Sequence, residues 1–287
     1  MILVTGATGK VGGQAVAQLV ELGADVRVLS RDPQAARFPS GVEVARGDLA
    51  DAGSLDAALT GVGAVFLVWP TLQADHAATA VIGEITRRVP QVVYLSSAGA
   101  ADGDRRPTDP INLSHTEIER LIRESGAAWT FLRAGGFAAN DLGWAPEIRQ
   151  GGVVREPFGG WARSLVHEAD LAAVGVRALI EEGHAGVAYH LTGPEALTQA
   201  QRVQTLGEVI GRPLRFEELT PEQAREYFLA WLPPDTVDDT LKAMAEATSQ
   251  PEPVTGLVEQ VTGRPARTYR QWVIDHAGDF ASPGRPA

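Results

Sequence analysis

Cysteine is absent from all 287 residues, which excludes disulfides, thiolate metal sites and thiol redox sensing. The six histidines have no ligand-like spacing, so no metal site is expected. Positive charge is scarce: 25 Lys and Arg stand against 36 Asp and Glu, for a net charge of −11. A nucleic-acid partner needs a positive footprint and is not expected. Lys10 and Lys242 are the only lysines, a shortage that bears on the chemistry below. No apolar run approaches the ~20 residues needed to span a bilayer, so no membrane partner is expected. The N-terminus runs directly into a strand without the charged lead or cleavage site of a signal peptide, and a cytoplasmic location is expected. What remains is ordinary for a soluble globular protein, with 44% hydrophobic and 21% charged residues. The length fits one elaborated domain or one and a half, as a monomer or a homodimer.

Short β-branched runs at 2–4, 26–29, 42–44, 64–68, 92–95 and 129–132 alternate with amphipathic stretches such as 12–22 and 112–125. That alternation predicts an α/β fold, a Rossmann-type doubly wound parallel sheet with helices on both faces. The dinucleotide-binding domain is placed at residues 1–150, with 163–192 returning to it as a helix at 168–182 and a strand at 187–191. A small, mainly helical C-terminal substrate or lid domain takes 193–287 together with 151–162. Within it, the glycine-rich stretch 151–160 is expected to loop over the sheet edge. Helices are expected at 198–210, 220–232 and 268–280, before a frayed tail at 281–287. Thr220 and Gln223 suit a capping box around Pro221, and Pro233-Pro234 is expected to close that helix.

Thr5-Gly6-Ala7-Thr8-Gly9-Lys10-Val11-Gly12 follows the first strand and opens a helix. Glycines at 6, 9 and 12 permit a tight turn, close backbone approach to a pyrophosphate, and close helix–strand packing. The free N–H groups of the new helix then face the phosphates, so residues 6 and 8–12 are assigned to a dinucleotide. The second strand ends in Ser30-Arg31-Asp32-Pro33. Arg31 offers a fork suited to a 2′-phosphate, whereas Asp32 can either accept from a 2′-hydroxyl or cap the next short helix. The arginine favours NADP(H) over NAD(H). After the third strand, Asp48 can accept from the adenine amino group while Leu49 packs on the ring; alternatively, Asp48 caps a helix at 54–59. Val68, Trp69 and Pro70 end the fourth strand, where ligands lie in such sheets. Trp69, Phe137, Trp144 and Trp161 can line a pocket for a flat, aromatic small molecule or serve as core and lid packing.

These motifs continue through Tyr94-Leu95-Ser96-Ser97, then His115, Glu119, Ser125-Gly126, Thr130-Phe131-Leu132-Arg133, Phe137 and Asn140. His167-Glu168-Ala169-Asp170-Leu171-Ala172 and Leu191-Thr192-Gly193-Pro194 complete the series. Together they resemble the short-chain dehydrogenase/reductase superfamily in its atypical, NmrA-like branch. That branch includes NADPH:quinone oxidoreductases, triphenylmethane-dye reductases and nucleotide-sensing regulators. The likeness fades in the C-terminal third. It implies cofactor contacts from Ser96, Gly135 and Phe137, with Gly135-Gly136 leaving room beside the nicotinamide. Ala134 departs from the proline common there.

The resemblance also exposes an absence. The mainstream superfamily uses a serine, matched here by Ser97, and a Tyr-x-x-x-Lys helix whose two positions fall on Ile111 and His115. None of Tyr94, Tyr189, Tyr227 and Tyr269 is followed four residues later by lysine, so the pair is absent and not displaced. Reducing an ordinary ketone creates a strongly basic alkoxide that needs an acid against it. Reducing a quinone creates a phenolate-like oxygen with a parent pKa of about 10, by analogy with tyrosine. The expected activity is therefore NADPH-dependent hydride transfer to a conjugated or aromatic, quinone-like acceptor, with Ser97 and His115 polarising or protonating it. A catalytically silent NADP(H)-sensing regulator and a non-redox isomerase or tailoring enzyme are the alternatives. Three roles stay open for His115: proton transfer, a cofactor or substrate contact, and structure. Its place at a helix start disfavours a positive charge. Glu119, one turn on, is expected to be solvated or to pack on the helix. Arg31→Ala should weaken NADPH binding far more than NADH binding in fluorescence titrations; equal losses would overturn the 2′-phosphate assignment.

Overall fold

The computed structural model describes residues 1–71, 76–101, 107, 109–230 and 232–281. In chain order its elements are β1 (Ile2–Val4), α1 (Lys10–Glu21), β2 (Val26–Ser30), β3 (Glu43–Arg46), α2 (Asp56–Leu59) and β4 (Ala64–Leu67). Then come α3 (His76–Arg88), β5 (Gln91–Ser97), α4 (Pro110–Glu124), β6 (Ala128–Ala134), α5 (Ala145–Gly151), β7 (Val153–Glu156) and α6 (Glu168–Ile180). The chain continues with β8 (Val187–Leu191), α7 (Gln199–Val209), β9 (Arg215–Glu218), α8 (Pro221–Leu229), α9 (Pro234–Ala247), α10 (Leu257–Thr262) and α11 (Tyr269–Asp275). These elements fall into two compact units.

The first unit holds Met1–Ala134, Glu168–Leu191 and Leu257–Arg264. Its sheet has seven strands in the order β3-β2-β1-β4-β5-β6-β8, with every pairing parallel. This is the doubly wound parallel sheet expected from the alternating pattern. The central strand β4 is buried along its whole length because helices cover both faces, and its sequence AVFL is accordingly apolar throughout. At the edge, β3 exposes Glu43 and Arg46, charges that discourage pairing with another chain. On one face Val81, Ile82 and Ile85 of α3 and Ile118 and Ile122 of α4 pack on Leu3, Val65, Val92, Tyr94 and Phe131. On the other, α1 lies beside α6, tied by a hydrogen bond from Gln18 Nε2 to the Ala169 carbonyl (3.0 Å).

Helix α4 is also locked to the sheet by charge. Glu119 is fully buried and accepts from Arg133 of β6 through both oxygens (2.9 and 2.7 Å) and from the Ser96 hydroxyl (2.6 Å). Arg123, one turn on, closes on the same carboxylate at 3.2 Å. Glu119 is thus neither solvated nor a simple helix-packing residue. It is the neutralised centre of a buried network, which the local helix pattern does not reveal because the partner lies on a different strand.

The second unit holds Gly135–His167, Thr192–Gly256 and the residues from Pro265 onward. Its core gathers Ala138, Trp144, Ile148, Val154, Leu206, Trp272 and Phe280 around a buried polar knot. There Arg202 grips both oxygens of Asp141 (2.5 and 2.6 Å), and Tyr269 donates to the same carboxylate (2.7 Å). Thr198, Thr220 and Thr268 start their helices with capping boxes to Gln201, Gln223 and Gln271.

Several expectations for this half need correction. Residues 153–156 are not part of a loop but form β7, which pairs in parallel with β9. Pro234 does not close a helix: it opens α9, where its missing N–H costs nothing. The helix expected at 268–280 breaks at His276 into α11 and a 3-10 turn, Ala277–Phe280. Helix α10 was not anticipated, and it belongs to the first unit. Residues 282–287 of the expected frayed tail, and residue 231 within the expected helix 220–232, lie outside the described residues.

Removing Arg133 takes away the two-pronged partner of the buried Glu119 carboxylate and leaves it to Arg123 and the Ser96 hydroxyl. Arg133→Met is expected to cost about 3–5 kcal/mol in urea unfolding. The double change Glu119→Leu with Arg133→Met should recover most of that loss.

Candidate active site

Because the strands are parallel, the carboxyl ends of β1, β2, β4 and β5 share one edge of the sheet. The strand order reverses direction between β1 and β4, which opens a crevice at their ends. The loop after β1 is fastened there. Thr5 Oγ1 donates to the Val68 carbonyl (2.9 Å) and accepts from the Val68 N–H (2.8 Å). Gly6 has φ +60°, and a Cβ on it would lie 2.9 Å from the Cβ of Val68. A Cβ on Gly12 would lie 2.3 Å from the Gly6 carbonyl oxygen, so this turn closes only with glycine at both positions.

Helix α1 begins immediately after Gly9, with no side-chain cap and no acidic residue in its first turn. Its leading N–H groups therefore lack partners from a cap and favour an anion. Thr8, Gly9 and Lys10 are exposed, while Val11 is buried beneath them. A cleft of about 460 Å3 opens beside this helix start, lined by Ala7–Gly9, Gly13, Val16, Ala17 and residues 35–39.

The ends of β2 and β3 carry two arginines among neighbouring aspartates. Arg31 follows Ser30, whose register partner is Arg46. Both arginines are exposed and form no hydrogen bond or ion pair among the described residues. Asp32, by contrast, is occupied: its Oδ1 accepts from the Gln34 and Ala35 N–H groups (3.1 and 3.3 Å) and shapes the following turn. Two unpartnered guanidinium groups beside a glycine loop suit a ribose phosphate, and Arg46 was not identified from sequence. Asp48 accepts from the Ala50 N–H (3.0 Å), whereas the cap of the next 3-10 turn is Asp51. Leu49 and Trp69 are nearly buried in the core below the strand ends, and the Trp69 indole N–H donates to Thr71 (3.1 Å). Pro70 is exposed. The uncapped helix start, the glycine cradle and the free arginines together fit a phosphorylated dinucleotide.

At the end of β5, helix α4 offers a polar stripe beside its apolar one. Asn112, His115 and Glu119 meet Ser97, Tyr94 and Ser96 respectively. Ser96 faces inward to Glu119. The Ser97 hydroxyl lies 2.5 Å from Asn112 Oδ1, whose amide nitrogen donates to Asp109 Oδ2 at 2.7 Å. A carboxylate only accepts, so this bond fixes the amide orientation and obliges Ser97 to donate inward. What Ser97 retains for a ligand is a lone pair. Tyr94 OH and His115 Nδ1 are 2.7 Å apart. Burial holds the His115 pKa below its ordinary value, opposed by the nearby charges of Glu119 and Asp109. Tyr94, Asn112 and Asp109 were not identified as site residues. The signal for Asp109 and Asn112 lay in polar residues at helical spacing with His115 and Glu119, whereas Tyr94 lies on β5 and carried none.

The remaining candidates belong to the second unit. Gly135 accepts through its carbonyl from Arg163 Nη2 (2.7 Å), and Arg163 also pairs with Glu252 (3.0 Å). Phe137 is half-buried at the start of the 3-10 turn Ala138–Trp144. Trp144 is buried, and its indole donates to Glu156 (2.9 Å). Trp161 is half-buried with Arg163 over its ring at 4.5 Å, and its buried indole N–H has no partner among the described residues.

The model for NAD(P)H-binding proteins matches residues 6–182, and the chain belongs to that family, in the NmrA-like branch that its motifs resemble. It is 42% identical to the (4-alkanoyl-5-oxo-2,5-dihydrofuran-3-yl)methyl phosphate reductase of Streptomyces griseus, over 98% of this chain and 99% of that one. It is 35% identical to the NAD(P)H azoreductase of Xenophilus azovorans, over 98% and 100% of the two chains. Among solved structures, the NADPH-dependent quinone oxidoreductase QOR2 of Escherichia coli superposes with a TM-score of 0.77 at 26% identity, covering 95% and 98%. The same quinone oxidoreductase has also been solved with NADPH bound.

A proton donor removed from an active site typically costs 10²–10⁴-fold in rate. Ser97→Ala is expected to slow steady-state NADPH oxidation by less than about tenfold, the scale of one net hydrogen bond. A loss above a hundredfold would show that the serine proton reaches the acceptor.

Proposed function

We propose that this protein is an NADPH-dependent reductase for small conjugated acceptors whose reduced form leaves as a stabilised anion. Quinones, doubly activated alkenes and, in their quinone-hydrazone form, hydroxyazo dyes share that property. When bound, NADPH supplies the hydride. The chain's own residues hold the dinucleotide through the glycine loop, the α1 N-terminus, Arg31 and Arg46. They also present the polar stripe of β5 and α4 to the acceptor.

The observation that carries this reading is the supply of protons at the end of β5. Ser97 donates to Asn112. Ile111 stands where the superfamily's tyrosine is expected, and α4 contains no lysine. An unactivated ketone would find little acid there, whereas a quinol oxygen or a 1,3-dicarbonyl enolate can form first and take its proton from water. The relatives support the same chemistry. The Streptomyces reductase is named for a ring whose C=C carries both a lactone and an acyl carbonyl, and the Xenophilus enzyme for an azo bond. NADPH is favoured over NADH by the two unpartnered arginines and by the NADPH complex of the Escherichia coli neighbour.

The test is NADPH consumption across a panel of quinones, azo dyes, 2-acylbutenolides and simple ketones. Turnover of at least one conjugated class, with simple ketones at least a hundredfold slower, is expected. Equal rates on simple ketones would overturn the proposal. So would tight NADP(H) binding with no turnover of any acceptor, which would point to a cofactor-sensing regulator.

A further inference from the structure

Tyr94 is fully buried on β5, its ring edge-on to Phe131, and its hydroxyl points along the polar stripe of α4. The partner within reach is His115 Nδ1 at 2.7 Å; no other is found among the described residues. Glu119, the nearest carboxylate on the same helix face, is already occupied by Arg133, Arg123 and Ser96. A buried hydroxyl proton goes to an acceptor, and among the described residues the lone pair within reach is on Nδ1. The imidazole proton then resides on Nε2. That atom has no partner in the protein among the described residues, and His115 is partly exposed.

We infer that Tyr94 is a positioning residue that locks His115 in its Nε2–H tautomer, making His115 a neutral hydrogen-bond donor to the developing oxyanion of the acceptor and not the acid that protonates it. This assignment rests on the reductase reading for its ligand, but the tautomer does not. The imidazolium form would place a proton on Nδ1, facing the Tyr94 hydroxyl and leaving that hydroxyl's own proton without an acceptor. Burial works in the same direction, against the nearby Glu119 and Asp109 charges. A relay, with Nδ1 taking the Tyr94 proton as Nε2–H leaves, would create a buried phenolate. Burial and the Glu119 charge push the Tyr94 hydroxyl pKa well up, so the relay is closed. Proton and electron balance is kept simply: the hydride goes to the acceptor, the oxyanion is held by His115 Nε2–H, and water later supplies the proton.

Two measurements test this. Long-range ¹H–¹⁵N correlation spectra of the ¹⁵N-histidine-labelled full chain at neutral pH should show the Nε2–H pattern for His115, and a tautomer mixture in Tyr94→Phe. An Nδ1–H or doubly protonated pattern in the unsubstituted protein would overturn the inference whatever the enzyme's activity. In kinetics, His115→Gln keeps an N–H donor that cannot titrate. It should hold kcat within about tenfold of the parent with a flat profile between about pH 6 and 8, while His115→Ala should lose about a hundredfold. Gln as slow as Ala would show that a transferable proton is needed. A loss in NADPH affinity with kcat unchanged would move the contact to the cofactor and overturn the oxyanion role. Should the unsubstituted protein turn over no acceptor, the reductase reading fails by itself and the tautomer result still stands.

Discussion

The carboxylate of Glu119 fixes how α4 lies against the sheet, and the candidate chemistry depends on that placement. It is removed from water between Arg133 of β6, Arg123 of its own helix and the Ser96 hydroxyl. A buried ion pair returns little net stability, because desolvating both charges consumes most of the attraction. Its effect here is geometric. With Glu119 held on Ser96, the same helix face brings His115 to Tyr94 and Asn112 to Ser97. Sliding α4 by one residue would break all three contacts together.

The two ends of the site are built on opposite principles. At the ends of β1, β2 and β3, polar groups lack side-chain partners among the described residues: an uncapped helix start, Arg31 and Arg46. Such groups, exposed to water in the free protein, are prepared for a charged ligand at low cost. At β5 the Ser97 and Tyr94 hydroxyls are instead committed to α4, and their protons point inward. On the proposed reading, the first end would hold a polyanion and the second would offer little acid to a bound acceptor. On the function proposed above, such an arrangement would favour acceptors whose product anion is already stabilised, because little acid is on hand to protonate a basic one.

Much of the first unit was legible in the sequence. Parallel strands covered on both faces are apolar throughout, so β4 and β5 stood out, and the glycine spacing at 6, 9 and 12 located the first turn. The second unit was less legible. β7 is four residues long with two charged side chains, and its partner β9 lies about sixty residues on, so no local pattern marks it. Pro234 reads as a terminator in the sequence because proline both opens and ends helices, and only the residues that follow decide which.

By itself, the sequence determined the chain's family, its sheet class, the position of the glycine loop after β1 and that no tyrosine is followed four residues later by lysine, because each is written in residue type and short-range spacing. The tertiary structure alone decided that Ser97 donates inward, that Arg46 joins Arg31, and that Tyr94 faces His115. Those outcomes depend on which hydrogen-bond partners the packing of α4 on β5 and of β2 beside β3 brings within 3 Å. Residues far apart in the chain acquire a donor or acceptor role only once that packing exists.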